Sequence, residues 1–291
     1  MESDEATTQP QVSRVLVVGA GAMGSGIAQV IAESGTDVTL TDVDTRSLER
    51  GLAGITGRWD KAVSTGKRDA EAVDEFKNRL LSGDLSAAKS ADLVIEAIVE
   101  RLPAKSALFA ELGEIAPANA ILASNTSSIS VTALATASGR PQQFVGLHFF
   151  NPVPVLPLVE IVRGLQTSPE TVEAVEVFVT RLGKTPVIVQ DSPGFVANRI
   201  LLPMINEAVY TLQDGVADAA GIDAVMKLGA AHPMGPLALA DLIGLDVCLD
   251  ILETLHRDFG DDKYRPAPLL RRMVAAGRLG RKTGQGFHVY A

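Results

Sequence analysis

The chain is short of the materials from which disulfide frameworks, thiolate metal sites, membrane spans and nucleic-acid binders are made. It contains one cysteine, Cys248, so neither an intramolecular disulfide nor a metal site of clustered thiolates can form, and a reducing, cytoplasmic compartment is expected. Apolar runs are short, and none approaches the roughly 20 residues that cross a bilayer, so no membrane role is expected. Cations are in deficit. The 26 Lys and Arg against 35 Asp and Glu leave a net charge of −9, which offers a phosphate backbone no general attraction, and nucleic acid is not an expected partner. Residues 1–11 lack the basic flank and apolar core of a secretory signal and read as a frayed polar tail.

What is present describes a globular protein. Hydrophobic residues make up 46% and charged residues 21% of 291, an ordinary soluble composition in a chain longer than one core usually fills, so two domains are expected. From Arg14 short apolar runs alternate with longer amphipathic segments, which predicts an α/β domain with a mainly parallel sheet covered on both faces. Strands are expected at 14–18, 37–41, 93–97, 120–123, 144–149 and 185–189, and a further one at 159–162, antiparallel at the sheet edge. Leu48, Leu52, Ile55 and Trp59 recur at helical spacing in the polar stretch 44–81, which predicts a helical pair. Beyond Asp191 helical periodicity over 193–212, 222–228, 237–259 and 268–276 predicts an all-α second domain, with Ser192 and Pro193 as cap and first residue of its opening helix. The division is therefore placed at 1–190 and 191–291.

Gly19, Gly21 and Gly24, with Met23 in the same turn, form a G-x-G-x-x-G segment between an apolar strand and a helical pattern. In that context the first glycine permits the tight turn, the second lets backbone approach a pyrophosphate, and the third lets helix and strand pack closely, as in a Rossmann-type domain. Asp42 ends the second strand at the offset of an acid that bonds adenosine ribose hydroxyls and repels a 2′-phosphate, which favours NAD over NADP. Nearby Arg46 has the opposite sense.

Reaction chemistry must come from other segments. Ser127 follows one strand, His148 ends another, Glu160 lies across a loop containing Pro152, Pro154 and Pro157, and Asn198 opens the helical domain. Imidazole is the natural carrier of an alcohol proton near neutrality, and a carboxylate brought back by the proline-rich turn can orient it. Residue by residue, each also has a purely structural reading: His148 as a core histidine between Leu147 and Phe149, Ser127 as a helix cap, Asn198 as a backbone-bonding residue. Lys263, Arg265, Arg271, Arg272, Arg278, Arg281 and Lys282 fall within twenty residues without an acid. They are either a solvated face or, with Lys61 and Lys67, a positive approach for a polyanionic substrate.

Taken together, the motifs resemble the L-3-hydroxyacyl-CoA dehydrogenase family, especially its short-chain 3-hydroxybutyryl-CoA members. The resemblance runs from about Arg14 to Tyr290 through GAGAMGSGIAQ, VIEAIVE, ASNTSS, GLHFFNPVPVLPLVE, DSPGFVANR, HPMGPLALADLIGLD and GRKTGQGF in order. It implies His148 as base and Glu160 as its partner, with Ser127 and Asn198 on the substrate. It also implies cofactor contacts from Asp42, Glu100, Lys105 and Asn125, an acyl-CoA substrate, and a homodimer joined through the helical domain. Agreement is weakest where relatives carry CoA-binding lysines, here around Lys61 and Lys67. A carrier-protein thioester and a free 3-hydroxy acid stand as alternative substrates, and a nicotinamide-binding sensor or structural protein as the non-enzymatic alternative.

Overall fold

The computed structural model describes residues 12–290; the segment 1–11, read above as a frayed tail, lies outside them. The chain divides into two compact units, the first ending at Asp191 and the second beginning at Ser192.

The first unit contains β1 (Arg14–Val18), α1 (Ala22–Glu33), β2 (Asp37–Thr41), α2 (Thr45–Ser64), α3 (Ala70–Arg79), β3 (Leu80–Ser82) and β4 (Leu93–Glu96). It continues with α4 (Leu102–Ile115), β5 (Ile121–Ser124), α5 (Val131–Ala137), β6 (Phe144–Phe149), β7 (Leu158–Arg163), α6 (Pro169–Arg181) and β8 (Thr185–Gln190). The strands form one sheet in the order β3-β2-β1-β4-β5-β6-β7-β8. Strands β4, β5 and β6 are buried throughout, as apolar strands are when helices cover both faces. Chain order reverses between β1 and β4, the place where open α/β sheets leave a crevice at their carboxyl ends.

Two strands depart from the sequence reading. β3 was not expected, since its three residues merge into the end of the α3 pattern. β7 is antiparallel to β6 but not at the edge, because β8 pairs with its outer side in parallel. Helix starts follow local chemistry: the Asp44 carboxylate accepts from Arg46 N–H to cap α2, and Ser168 caps α6 ahead of Pro169.

The second unit is helical: α7 (Ala197–Gln213), α8 (Ala219–Gly229), α9 (Pro236–Ile243), α10 (Leu245–Phe259) and α11 (Pro268–Ala275). Ser192 and Pro193 do not open α7. Gly194 (φ 73°) and Phe195 (φ 50°) take left-handed conformations, so a turn precedes the helix. The periodicity read across 237–259 is two helices, broken at Gly244 with φ 105°, a value that side chains rarely tolerate. The core gathers Leu202, Ile205, Val209, Leu237, Leu252 and Leu255 around Cys248, whose thiol burial pushes up to about 12. The Asp241 carboxylate accepts from Phe287 N–H, His288 N–H and Tyr290 O–H, which fastens the last described residues to α9.

Candidate active site

The glycine turn is built as a cradle. Gly19 has φ 108°, and a Cβ there would lie 2.5 Å from the Ala97 carbonyl oxygen; one on Gly24 would lie 1.7 Å from that of Gly19. At Gly21 a Cβ would meet nothing within 4 Å, and among the described residues no side chain caps the N-terminus of α1. The open N–H groups and positive dipole end of α1 therefore stand ready for a phosphate. Asp42, at the end of β2, accepts from Ala20 N–H at 2.7 Å and Asp44 N–H at 2.9 Å, so the acid and the glycine turn are fixed to each other. These residues fit a dinucleotide: a close-approach turn, unfilled donors and a half-exposed carboxylate with further lone pairs for ribose hydroxyls.

His148 and Glu160 are brought together by sheet register. They are directly opposite in the antiparallel β6–β7 pair, so their side chains share one face of the sheet. His148 Nδ1 lies 2.7 Å from Glu160 Oε2, with the residues 6% and 2% exposed. The imidazole also packs on the Phe150 ring at 4.5 Å between centroids. Such a pair fixes the tautomer and the orientation of the ring.

Ser127 sits on a loop organised by Glu100. That carboxylate accepts from Thr126 O–H at 2.6 Å, Ser127 N–H at 2.8 Å and Ser128 N–H at 3.1 Å. Burial pushes the Glu100 carboxyl up, but the Lys105 ammonium and these hydrogen bonds outweigh it and hold the group below its ordinary value. Lys105 is 1% exposed, with Nζ 2.6 Å from Glu96 Oε1 and 3.1 Å from Glu100 Oε2. Glu96 also accepts from Ser124 O–H at 2.6 Å. Asn125 Oδ1 accepts from Phe149 N–H at 2.9 Å, which joins the end of β5 to the strand bearing His148. Asn198 belongs to the second unit, buried in the first turn of α7.

A cleft of about 530 Å³ adjoins the glycine turn, between α1, α2 and residues 151–155. The cations on its wall are Arg50 and Arg58, not Lys61 or Lys67, which are exposed. Arg58 is fixed by donating Nε–H to Gln29 Oε1 at 2.6 Å. The basic run of the second unit is largely engaged within that unit: Arg271 pairs with Glu253, Lys282 with Asp246 and Lys263 with Asp261, while Arg281 lies over the Tyr290 ring. Sequence reasoning missed Glu96, Thr126, Arg50 and Arg58. A glutamate ending an apolar strand, nine residues before a lysine, was the one signal for the buried pair. The arginines share α2 with Gly51, which is buried where a Cβ would lie 2.7 Å from Ser25 Oγ, so the helix runs close against α1 there.

A sheet of this order binds a dinucleotide across its crevice, and a carboxylate-held histidine on a neighbouring strand end can carry a proton while hydride moves. The class is an NAD-dependent dehydrogenase. Comparison with known proteins makes this specific: the NAD binding domain of 3-hydroxyacyl-CoA dehydrogenase matches residues 14–192, and the C-terminal domain of the same enzymes matches residues 194–290. The chain belongs to the 3-hydroxyacyl-CoA dehydrogenase family. It is 55% identical over 275 residues to a probable 3-hydroxybutyryl-CoA dehydrogenase of Deinococcus radiodurans, covering 94% of this chain and 99% of that one. It is 50% identical to a 3-hydroxybutyryl-CoA dehydrogenase of Bradyrhizobium diazoefficiens, with 96% of each chain covered. The crystal structure of (S)-3-hydroxybutyryl-CoA dehydrogenase from Ralstonia eutropha superposes with a TM-score of 0.93 at 48% identity, over 97% of this chain and all of that one.

Proposed function

We propose that this enzyme interconverts a short-chain 3-hydroxyacyl-CoA, 3-hydroxybutyryl-CoA foremost, and the corresponding 3-oxoacyl-CoA. The carrying observation is the His148–Glu160 contact of 2.7 Å between opposed strand residues; the substrate follows the names of relatives 50% and 55% identical. NAD, when bound, accepts hydride from C3 or returns it. His148 takes the hydroxyl proton at Nε2 during oxidation and gives it back during reduction. Glu160 accepts from Nδ1–H and stabilises the imidazolium as it forms. Ser127 and Asn198 are assigned to hydrogen-bond the 3-oxygen and thioester region, where donors stabilise developing charge.

On the cofactor side, Gly19, Gly21, Met23 and Gly24 hold the pyrophosphate, and Asp42 bonds the ribose. Glu100, Lys105 and Asn125 shape the region around Ser127. Arg50 and Arg58 receive the CoA phosphates; Lys61 and Lys67 contribute attraction at a distance. The first unit is thus the NAD-binding domain and the second the substrate and dimerisation domain. The cytoplasm is the proposed compartment, since a lone cysteine leaves no intramolecular disulfide that requires an oxidising one. Among the described residues no helix is long and apolar enough to cross a membrane.

The test is the loss of NADH absorbance with acetoacetyl-CoA. Activity only with a carrier-linked thioester, or only with a free 3-oxo acid, overturns the CoA assignment. In the same assay NADH exceeds NADPH in kcat/KM by on the order of tenfold or more, and Asp42→Ala narrows the gap, because the carboxylate repels a 2′-phosphate. A wild-type preference for NADPH contradicts that role for Asp42.

The enzyme is proposed to be a homodimer joined through the second unit. Ile200 on α7 and Val225 and Leu228 on α8 are exposed, Leu228 to 86%, and large apolar side chains left on the helices of this unit favour association. Light scattering at micromolar concentration is expected to give about twice the chain mass of 30.6 kDa. A value near one chain mass removes the dimer.

A further inference from the structure

Lys184 immediately precedes β8 and has no part in the chemistry above, yet it is only 9% exposed. Its Nζ donates to the carbonyl oxygens of Val153 at 2.5 Å and Leu156 at 2.9 Å. Both lie in the segment 151–157 that joins the strand of His148 to the strand of Glu160. The segment has few donors of its own. Pro152, Pro154 and Pro157 lack an N–H, while the N–H groups of Val155 and Leu156 both return to the Pro152 carbonyl at 3.0 Å. The single ammonium therefore meets two carbonyls that these internal bonds leave over. Burial lowers the Lys184 pKa and the Glu33 carboxylate opposes the shift, in keeping with an ammonium enclosed in the unit and satisfied there. The next residue fastens the far end of the segment, since Thr185 N–H donates to the Pro157 carbonyl at 2.8 Å.

The other side of this segment is a wall of the arginine-lined cleft. Val153 is buried against α1, where a Cβ on Gly26 would come within 2.9 Å of the Val153 Cβ. The wall is thus pressed to α1 at Val153 and tied to β8 through Lys184, with Arg50 and Arg58 across the cleft. We infer that Lys184 is a positioning residue for the thioester substrate: it holds residues 151–157 at the separation from α1 and α2 that the CoA moiety requires. The inference rests on the assignment of that cleft to CoA. Without the ammonium two carbonyls lose their partner and the wall relaxes, whereas the β6–β7 ladder keeps His148 opposite Glu160.

The experiment compares wild type, Lys184→Met and Lys184→Arg with NADH and two substrates, acetoacetyl-CoA and its short N-acetylcysteamine thioester. For Lys184→Met the KM for acetoacetyl-CoA rises about tenfold, as expected when buried acceptors lose their donor. Its kcat stays within about threefold, and the pH profile of kcat and the KM for the short thioester do not move, because the proton-transfer pair is untouched. Lys184→Arg, which can donate to both carbonyls, recovers most of the loss. Calorimetric titration with CoA counts only binding-competent chains, so the same rise of about tenfold appears in Kd even where part of the Lys184→Met protein is unfolded. An unchanged CoA Kd in Lys184→Met overturns the inference, as does an equal fall in kcat with both thioesters or a Lys184→Arg enzyme no better than Lys184→Met. If the wild type itself does not distinguish the two thioesters, the cleft assignment fails and this inference with it.

Discussion

With Gln in place of His148, turnover of acetoacetyl-CoA falls on the order of 10²-fold or more, while the KM for NADH stays within about twofold. Gln preserves the length of the side chain and can still donate to Glu160, so β6 and β7 keep their register and the fold is not at issue. What it lacks is a nitrogen that binds and releases a proton near neutral pH. The 3-oxygen, which gains negative charge as hydride reaches C3 of the keto substrate, then has to take its proton from water across a site that buries both partners. Glu160→Gln produces a smaller fall with the same intact NADH affinity, because the ring keeps a neutral partner but loses the anion that stabilises its charged form. The check is steady-state kinetics of both variants beside fluorescence titration with NADH. Near-normal turnover by His148→Gln ends the assignment.

The second large effect concerns the part of the substrate remote from C3. Acetoacetyl-CoA is expected to exceed its N-acetylcysteamine thioester in kcat/KM by on the order of 10²-fold, since remote contacts hold the reacting carbon in place as well as lowering KM. Arg58 carries a large share of this. Exposed to the cleft but anchored to Gln29 at 2.6 Å, it meets a phosphate with little ordering left to do, and a hydrogen bond to a charged partner contributes about 1.5–3 kcal/mol. Arg58→Gln therefore raises the KM for acetoacetyl-CoA roughly tenfold and leaves the short thioester unchanged. Rising salt weakens the CoA substrate more than the truncated one, as screening of a charged handle requires. Equal efficiency with the two thioesters moves the enzyme's substrate to a carrier-linked thioester or a free acid.

How far the sequence reached depended on the range of the signal. The glycine turn and Asp42 were legible because a tight turn and a strand-end acid are local demands of backbone and charge. The strands at 14–18 and 144–149 were legible because buried parallel strands are mainly apolar, and that at 37–41 because Val38 and Leu40 alternate with polar residues. The His148–Glu160 pair was only partly so: twelve residues and three prolines allow a return, but the register that sets the two opposite each other is a property of two strands at once. The interior place of β7 depended on β8, more than twenty residues further on. Arg50, Arg58 and Glu96 were hidden for a different reason. A charged residue in an amphipathic helix or at a strand end looks the same to a sequence reader whether it faces solvent, a cleft or a buried lysine. The helix break at Gly244 was missed because helical periodicity continues on both sides of one glycine, and only the backbone angle separates α9 from α10.

The place of β7 between β6 and β8 has a consequence for how long the proton-transfer pair persists in solution. An edge strand opens by fraying, at a free energy well below that of whole-domain unfolding, and any side-chain pairing it carries is lost in that fraction of molecules. β8 occupies the edge instead and is bonded along its full length from Thr185 to Gln190. Fraying at this edge therefore takes β8 first and leaves in place the β6–β7 ladder that sets Glu160 opposite His148. The backbone register that aims the imidazole at its carboxylate is thereby shielded from the fraying to which a sheet margin is exposed.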